Sequence, residues 1–507
     1  MEFPRSVSFY TLGCKLNQLE TEAVAAAFRE EGFALLPWNG SSGVPRDQGP
    51  ELLVVNTCTV TSRAEQKARR IIRLFLRTGG TVVVTGCYAQ LNRAELCSLA
   101  PDTGGSLFVV PGRAKDRLLD LPRFLARSGG TPRELLARWC SGLDGSAAAG
   151  EGPFAGEPSL ASAGPDSAVT GGMAGPSASA AFRFNPRNFL FHSRGFLKIQ
   201  DGCDRRCAYC RVPLARGGSV SLEAPELARR LRALEEAGIS EAVLTGVNIC
   251  QYRDPASSGA LPELLGLLLD KTRRIALRLS SIEPEPEGTF LKNPGFSVLS
   301  HPRIRPHFHL SVQSGSDRIL AAMGRPYTGK DVLRTAERLR SVKNDPFLGC
   351  DIIAGFPGER DEDFEKTAAL CRDAEFAFIH GFPYSKRPGT PAADMKDQVR
   401  RGIAEKRLDR LRELSLEAGG AYLRRWQGKT LDAVAENPPG NDHFSPFFPA
   451  LTDNYIRLLV SAGTGEVPKS GSSFRCRIGE ALPRAGVKQS DFDAWGEIVY
   501  SNRGEQT

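Results

Sequence analysis

The sequence predicts an α/β protein in three parts: an N-terminal doubly wound parallel sheet, a central partial (β/α)6 barrel, and a small C-terminal β-barrel. Short apolar strands alternate with amphipathic helices over 6–127 and again over 195–385, and strand–helix–strand alternation implies parallel sheets. A stretch of different composition divides these two runs. Beyond about residue 427 the helical pattern stops and only short strand-like segments follow; a small barrel lets so short a run avoid open edges. The resulting boundaries are 1–127, an insertion over 128–186, a core over 187–425, and a last domain over 426–501.

In the first part, VSFYTLGC (7–14), ELLVVNTC (51–58) and TVVVTGC (81–87) read as strands. NQLETEAVAAAFREEG (17–32) and TSRAEQKARRIIRLFLRTGG (61–80) read as helices; Ser62 and Glu65 stand at capping-box spacing, and Gly32 and Gly79 supply stops. From Ser141 to Ala181 the chain is mostly Ala, Gly, Ser and Pro, with no Lys or Arg. Such a stretch buries too little apolar surface to offset its conformational entropy, so 128–186 reads as a flexible insertion. Six strand candidates follow: GFLKIQDG (195–202), EAVLTGVN (241–248), IALRLSSIEP (275–284), HFHLSVQSG (307–315), PFLGCDIIAGFPG (346–358) and FAFIHGFPYS (376–385). Helical segments such as APELARRLRALEEAG (224–238) and KDVLRTAERLRSVK (330–343) lie between most of them. In such folds the chemistry sits at the C-terminal ends of the strands. Residues 399–425 read as one long basic helix, and KTLDAVAE, ALTDNYIRLLVSA, FRCRIGEAL and WGEIVY after it as short strands, while the Pro-rich stretch 438–449 fits no regular element.

Composition narrows the classes of function. The 507 residues, 41% hydrophobic and 24% charged, are those of an ordinary globular protein of several domains. No apolar h-region follows Met1 and no run approaches a membrane span, so the protein is expected to be cytoplasmic, with no membrane partner. Its 12 cysteines then meet a reducing compartment, where metal binding is favoured over disulfides. A net charge of +8 favours a polyanionic partner such as nucleic acid, although many basic proteins bind none.

QDGCDRRCAYCRVP (200–213) sets Cys203, Cys207 and Cys210 at C-x₃-C-x₂-C spacing, directly after the first strand of the central run. A structural zinc site normally closes with four ligands, often as two C-x₂-C pairs, and the chain has no second close pair. A disulfide would leave one thiol over. Three thiolates suit an iron–sulfur cluster with one iron left open for a substrate or cofactor. A structural cluster or an incomplete zinc site is the plainer alternative. Cys14, Cys58 and Cys87 lie far apart in sequence, yet each ends a predicted strand. Parallel strands bring such ends to one edge, where open α/β sheets bind ligands, so the three converge on a second site unless each merely packs as a small hydrophobe.

The first spacing, with aromatic Tyr209 before the last cysteine, resembles the cluster motif of radical S-adenosylmethionine (SAM) enzymes. The resemblance implies that Cys203, Cys207 and Cys210 hold a [4Fe–4S] cluster. Its open iron binds the amine and carboxylate of SAM, and its electron cleaves SAM to a 5′-deoxyadenosyl radical; the protein supplies position and electrostatics. TLGCKLNQLETE (11–22), VVNTCTVTSRAEQKARR (54–70) and VTGCYAQ (84–90) resemble the N-terminal domain of methylthiotransferases, which implies an auxiliary [4Fe–4S] cluster on Cys14, Cys58 and Cys87. The similarity continues through FLKIQDGCDRRCAYC, LTGVN, RLSSIEP, LSVQSGSD, DIIAGFPGE and YSKRPGTPAADM, nearly the whole chain outside 128–182. GCKLN and CTVT favour the subgroup that thiomethylates N6-threonylcarbamoyladenosine beside the tRNA anticodon, at position 37. Relatives act instead on isopentenyladenosine in tRNA or on an aspartate of a ribosomal protein. The implied reaction has two stages. One SAM gives its methyl to a sulfur at the auxiliary cluster. A second yields the radical that takes hydrogen from C2 of the adenine, and the methylthio group joins that carbon to give 2-methylthio-N6-threonylcarbamoyladenosine.

The resemblance also implies cofactor-binding roles for Tyr209, for Thr245, Gly246 and Asn248 at the end of the second strand, for Ser311 and Gln313 on the fourth, for Arg325 after it, and for Gly355 on the fifth. Loop geometry or a satisfied polar group would account for each equally well. Radical SAM enzymes usually carry a Gly-Gly-Glu-like segment at the second strand, and this chain lacks the Glu. QVRRGIAEKRLDRLREL (398–414) and YLRRW (422–426) either follow RNA phosphates or are merely solvated. The family's C-terminal module, a small barrel called TRAM, binds tRNA, and ALTDNYIRLLV resembles one of its strands. The implied partners are the tRNA anticodon stem-loop, an electron donor such as flavodoxin or ferredoxin, and a sulfur source. A rival from another class is a non-catalytic iron–sulfur protein that binds RNA or senses redox state, which would not cleave SAM.

Overall fold

The computed structural model describes residues 6–38, 50–100, 103–147, 178–284, 294–437, 447–463, 466–482 and 492–499. The chain divides into two compact units, one of 1–186, 200–221 and 385–394, the other of 187–199, 222–384 and 395–507.

The first unit is built on five parallel strands: β1 (Ser6–Thr11), β2 (Ala34–Leu35), β3 (Leu52–Thr57), β4 (Thr81–Gly86) and β5 (Ser106–Val109), in the order β2-β1-β3-β4-β5. β3 and β4 are buried at every position, which is why they read as unbroken apolar runs. Their side chains alternate between the two faces. Leu53 and Val55 pack with Ile71, Ile72 and Phe75 of the helix Ser62–Leu76. Leu52 and Val54 pack with Val24 and Phe28 of the helix Lys15–Glu30. Helices cover both faces, so the sheet is doubly wound as the sequence predicts. The cap of the second helix differs from expectation. Thr61, not Ser62, is the N-cap and accepts the Ala64 N–H, because Glu65 is engaged with Thr59 and Arg387 instead.

The insertion expected to be flexible over 128–186 is ordered at both ends. Pro132–Ala147 is a helix whose Leu135 and Leu136 enter the core shared with β3, and Phe182 and Phe184 are buried after the short helix Ala178–Ala181. The apolar residues Leu135, Leu136, Phe182 and Phe184 anchor these flanks, and the low-complexity composition lies between them. Residues 148–177 of the predicted insertion lie outside the described residues.

After β6 (Gly195–Lys198), a strand of the second unit, the chain enters the first as β7 (Gln200–Asp201) and β8 (Val220–Ser221), which pair antiparallel around the cysteine loop. The second unit continues with β9 (Glu241–Thr245), β10 (Ala276–Leu279), β11 (His307–Gln313), β12 (Phe347–Ala354) and β13 (Phe378–Pro383). β6, β9 and β10 are parallel neighbours, as are β11, β12 and β13, and parallel bridges Leu277–Ile304 and Ile282–Leu310 join the two sets. Spatial order equals chain order, the arrangement of the predicted partial barrel. Leucines of the helices Ala224–Glu236 and Leu261–Lys271 bury against these strands in one core.

The helix Arg401–Trp426 spans two cores: Leu408, Leu411 and Leu414 belong to that of the partial barrel, Tyr422, Leu423 and Trp426 to that of a closed C-terminal barrel. The closed barrel contains β14 (Thr430–Ala435), β15 (Phe447–Thr452), β16 (Arg457–Ser461), β17 (Ser473–Ala481) and β18 (Ala494–Ile498), in the order β14-β15-β16-β18-β17. The Pro-rich stretch 438–449, expected to be irregular, is strand from Phe447 onward. Pro449 has no N–H to lose from the ladder, and its carbonyl accepts the Glu436 N–H at 2.8 Å. Residues 438–446 lie outside the described residues. Among the described residues no helix is long and apolar enough to cross a membrane.

Glu241 of β9 is buried and paired with Arg278 at 2.7 Å and Arg305 at 2.9 Å; Arg278 also donates to the carbonyls of Thr452 and Asp453, at 3.2 and 3.0 Å. Burial opposes the Glu241 charge, yet these arginines hold its carboxyl well below the usual range. A depressed folded pKa means that the stabilisation is full above the unfolded value of about 4.3 and is lost as pH falls below it. Removing one partner of such a buried set typically costs about 3–5 kcal/mol. Glu241→Ala is therefore expected to lower the calorimetric unfolding temperature at pH 7, with the gap to the unchanged protein narrowing below about pH 4. A gap constant across that range would show that the carboxylate charge does not carry the stabilisation.

Candidate functional site

All six cysteines singled out by sequence lie in the first unit. Cys14 follows β1, Cys58 follows β3 and Cys87 follows β4, so they sit at the carboxyl ends of three adjacent parallel strands. The order β2-β1-β3-β4-β5 has its switch point between β1 and β3, the place where open α/β sheets bind ligands. Asn17 pins that point: its Nδ2 donates to the Leu12 carbonyl at 2.8 Å and the Thr57 carbonyl at 3.1 Å. Gly13 has φ +113°, and a Cβ there would stand 2.8 Å from Cys58 Cβ and 3.1 Å from Cys58 Sγ. The chain entering Cys14 is thus laid directly against Cys58. Burial pushes the Cys58 thiol up to about 12; the Val60 N–H draws it back, and the Cys87 and Cys14 thiols push it further, so each of those two lies within electrostatic reach of Cys58.

Cys203, Cys207 and Cys210 occupy the loop between β7 and β8. The Cys203 N–H donates to the Gly217 carbonyl and the Cys210 N–H to the Cys207 carbonyl, both at 3.1 Å. Gly202, at φ +69°, admits the Gly218 carbonyl where a Cβ would collide with it. The two cysteine sets share one local device. Cys58 Sγ accepts the Val60 N–H at 3.5 Å, Cys203 Sγ the Arg205 N–H at 3.4 Å, and Cys210 Sγ the Val212 N–H at 3.4 Å. A backbone donor two residues on stabilises charge on sulfur and tunes a cluster held there. Among the described residues no three His, Cys, Asp or Glu gather as ligands of a single ion would. The thiolate ligands of a [4Fe–4S] cubane bind separate irons, so they do not need to meet at one point. Two sets of three thiols, with backbone donors on three of the six sulfurs, fit two clusters that each leave an iron open.

Buried charges tie the two sets together. Arg216, 5% exposed and six residues beyond Cys210, pairs with Asp201 and Glu20, each at 3.0 Å, and donates to Asn17 Oδ1 at 2.7 Å. Lys115 joins Glu20 at 2.5 Å. A second node is Glu65, which accepts from Thr59, the residue after Cys58, at 2.6 Å and is paired with Arg387. Arg211, the residue after Cys210, stands 3.9 Å from Glu65 and donates to Asn92 at 3.3 Å. The segment 385–394 closes the arrangement, with the Ala392 N–H on the Ala208 carbonyl at 2.8 Å. Sequence reasoning missed Asn17, Glu20, Glu65, Arg216 and Arg387. The one signal within reach was the Gly that precedes Cys14, Cys87 and Cys203 alike.

The residues expected to contact SAM are distributed differently. Tyr209 is half-buried in the cysteine loop of the first unit; the others lie in the second. Thr245 is buried at the end of β9, beside Gly246, and Asn248 caps a short turn by accepting the Cys250 N–H at 3.2 Å. Gly355 has φ +80°, and its N–H is taken by Glu359 at 2.6 Å. These two have local structural work. The Ser311 carbonyl accepts from Tyr327 at 2.5 Å. Gln313, at φ +67°, ends β11 with a buried Oε1 that has no hydrogen-bond partner among the described residues. Arg325 is half-buried, its side chain 5% exposed, and it is paired with Glu283 at 2.9 Å. Glu283 was not anticipated: it supplies a carboxylate after β10, where the expected one after β9 is missing. Gln313, Glu283 and Arg325 offer an open acceptor and a charge pair near the carboxyl ends of neighbouring strands.

Residues 197–371 match the radical SAM superfamily, which fixes the class as a radical SAM enzyme. Residues 6–105 match the uncharacterized protein family UPF0004. Across the chain, the threonylcarbamoyladenosine tRNA methylthiotransferase MtaB of Treponema pallidum is 42% identical, covering 93% of this chain and 98% of its own. The proteins of the same name from Thermotoga maritima and Bacillus subtilis are 31% and 30% identical, covering 85% and 90% of this chain and 87% and 90% of theirs. This chain belongs to the radical SAM tRNA methylthiotransferase family. Its cofactors are SAM and two [4Fe–4S] clusters.

Gly13→Ala places a methyl where Cys58 and Asn17 already stand. After anaerobic reconstitution its iron content is expected to fall from about eight per chain to about four, one cluster's worth. Gly129→Ala, where an added Cβ meets nothing within 4 Å, should keep the full amount. Full iron in Gly13→Ala would show that this close approach is not needed to form the site.

Proposed function

We propose that this protein methylthiolates C2 of N6-threonylcarbamoyladenosine at position 37, beside the tRNA anticodon, giving 2-methylthio-N6-threonylcarbamoyladenosine. The observation that carries the reading is the gathering of both cysteine sets in one compact unit, with buried charges linking their segments. It is supported by 42% identity, over nearly all of both chains, to a relative named for that substrate. Cys203, Cys207 and Cys210 hold the cluster that binds SAM, and Cys14, Cys58 and Cys87 hold the auxiliary one. When bound, the first supplies the electron that cleaves SAM and the second the sulfur that is methylated.

The chain's own residues do the positioning. The donors at Val60, Arg205 and Val212 stabilise ligand sulfurs. Gln313 Oε1 and the Glu283–Arg325 pair would hold the polar groups of SAM, and Thr245, Gly246, Asn248, Ser311 and Gly355 would shape the strand ends that receive it. Tyr209, half-buried in the cysteine loop, would contribute to holding the cofactor there. The protein works in the cytoplasm on the tRNA anticodon stem-loop, with its C-terminal barrel as the RNA-binding module. A flavodoxin or ferredoxin supplies electrons, and a separate sulfur source restores the auxiliary site.

Nucleosides from the tRNA of cells with and without the gene, separated by mass, test the substrate. Loss of 2-methylthio-N6-threonylcarbamoyladenosine alone is expected; loss of the methylthiolated isopentenyl nucleoside instead would overturn the assignment. The division of labour has its own test. Cys203→Ala should abolish 5′-deoxyadenosine formation. Cys58→Ala, reconstituted without oxygen and given dithionite, should still cleave SAM yet make no methylthio product. Near-normal product from Cys58→Ala would return the N-terminal cysteines to a packing role.

A further inference from the structure

Arg216 belongs to the segment of Cys203, Cys207 and Cys210, yet its guanidinium lies among residues of the other cysteine set. Its Nη2 donates to Asn17 Oδ1 at 2.7 Å, and the same Oδ1 is 4.0 Å from Cys14 Sγ. Asn17 Nδ2 holds the carbonyls of Leu12 and Thr57, next to Gly13 and Cys58. Burial works against the Arg216 charge, but Asp201 and Glu20, with Cys87 and Cys14 behind them, hold it as a cation. Asn17 thus stands between the guanidinium and the two strand ends that lead to Cys14 and Cys58. Its two carboxylate partners are shared unequally: Glu20 also takes Lys115.

We propose that Arg216 is a positioning residue for the cluster of Cys14, Cys58 and Cys87, delivered by the segment of the SAM-binding cysteines, and that its guanidinium raises the reduction potential of that cluster. Reduction adds one electron and makes or breaks no bond. A fixed cation nearby favours the more negative reduced state, and Arg216, being itself buried, does so more strongly than an exposed cation would. Through Asn17 the same guanidinium fixes the β1–β3 switch point from which Cys14 and Cys58 emerge. The radical-forming segment and the sulfur-holding site then share a charge: whatever displaces 200–221 also changes the potential of the other cluster. The inference rests on the reading that Cys14, Cys58 and Cys87 hold a cluster.

The test uses the full chain with Cys203, Cys207 and Cys210 all replaced by Ala, so that only the auxiliary cluster remains, reconstituted anaerobically and titrated with dithionite under electron paramagnetic resonance. Adding Arg216→Gln should shift the midpoint potential downward. Arg216→Lys, which keeps the charge, should stay near the parent. Glu20→Gln, which removes an opposing charge, should shift it upward. A merely structural role does not predict opposite signs for two residues of one ion pair. An unchanged midpoint in an iron-replete Arg216→Gln protein, or shifts of the same sign for Arg216→Gln and Glu20→Gln, overturns the proposal. If Arg216→Gln holds no cluster, the other two variants decide: a parental midpoint for Arg216→Lys with an upward shift for Glu20→Gln supports the proposal, and any other pair of results overturns it. No iron in the parent itself would refute the assignment of the three N-terminal cysteines, a failure distinct from that of the Arg216 role.

Discussion

Four charges buried together, Glu20, Asp201, Lys115 and Arg216, are the constraint on which the first unit depends. Each comes from a different segment: the helix after Cys14, the strand before Cys203, the 3-10 helix Gly112–Leu119, and the turn of helix after Cys210. Charges taken out of water are tolerable only when they are paired, and losing one partner of such a set costs several kcal/mol, about 3–5 in typical cases. The set is therefore close to all-or-none. Either the segment 200–221 lies against the N-terminal sheet with every partner in place, or two or more ions are stranded. The set stabilises one arrangement of the two cysteine segments strongly and intermediate ones hardly at all.

Within that arrangement the backbone does finer work. A cysteine that is to serve as a ligand needs its sulfur presented, its neighbours kept clear, and negative charge on sulfur made tolerable. Gly13 keeps the approach to Cys58 clear, and Gly202 does the same for the carbonyl of Gly218. The N–H groups at Val60, Arg205 and Val212 meet the third need at Cys58, Cys203 and Cys210 from the chain itself. The Glu65 node then joins the residue after Cys58 to Arg387, close to the residue after Cys210. The residues flanking the cysteines, rather than the cysteines, carry the cross-links.

How much of this was legible in the sequence follows from which interactions leave a local trace. The alternating runs, the strand ends at Cys14, Cys58 and Cys87, and the spacing of Cys203, Cys207 and Cys210 do, because strand geometry and ligand spacing act over a few residues. Arg216–Glu20 and Arg216–Asn17 join positions 196 and 199 residues apart, and nothing near either end announces the other. Glu65 misled at short range for the same reason: its spacing from Ser62 fits a cap, but a long-range partner outbids the helix terminus for its carboxylate. Pro449 and the helix Pro132–Ala147 were missed differently. Composition averaged over a window hid a strand position that needs no N–H, and a pair of leucines that bury in the first unit's core.

The second unit solves its polar problem by another route. Near the carboxyl ends of its strands the charged groups already have partners, Arg325 on Glu283 and Glu359 on Arg407 at 2.7 Å, so these ends are preorganised rather than charged and waiting. Gln313 Oε1 is one of several buried polar atoms of this unit, Ser280 Oγ just after β10 among them, without a hydrogen-bond partner among the described residues. A buried acceptor without a donor costs roughly 1–3 kcal/mol, and natural folds seldom leave one. A ligand that donates to it recovers that cost as binding energy, and it gains selectivity, because a ligand without a donor at that point leaves the cost in place. The φ of +67° at Gln313 has the same sense, a conformation that costs a non-glycine residue something and is held by its surroundings. Strain and an open acceptor thus coincide at one residue, at the end of the fourth of six strands. Pairing does not take Arg325 and Glu283 out of play for a ligand either: a neutral pair presents a donor and an acceptor together and so meets both ends of a zwitterion, where a lone charge would hold only one.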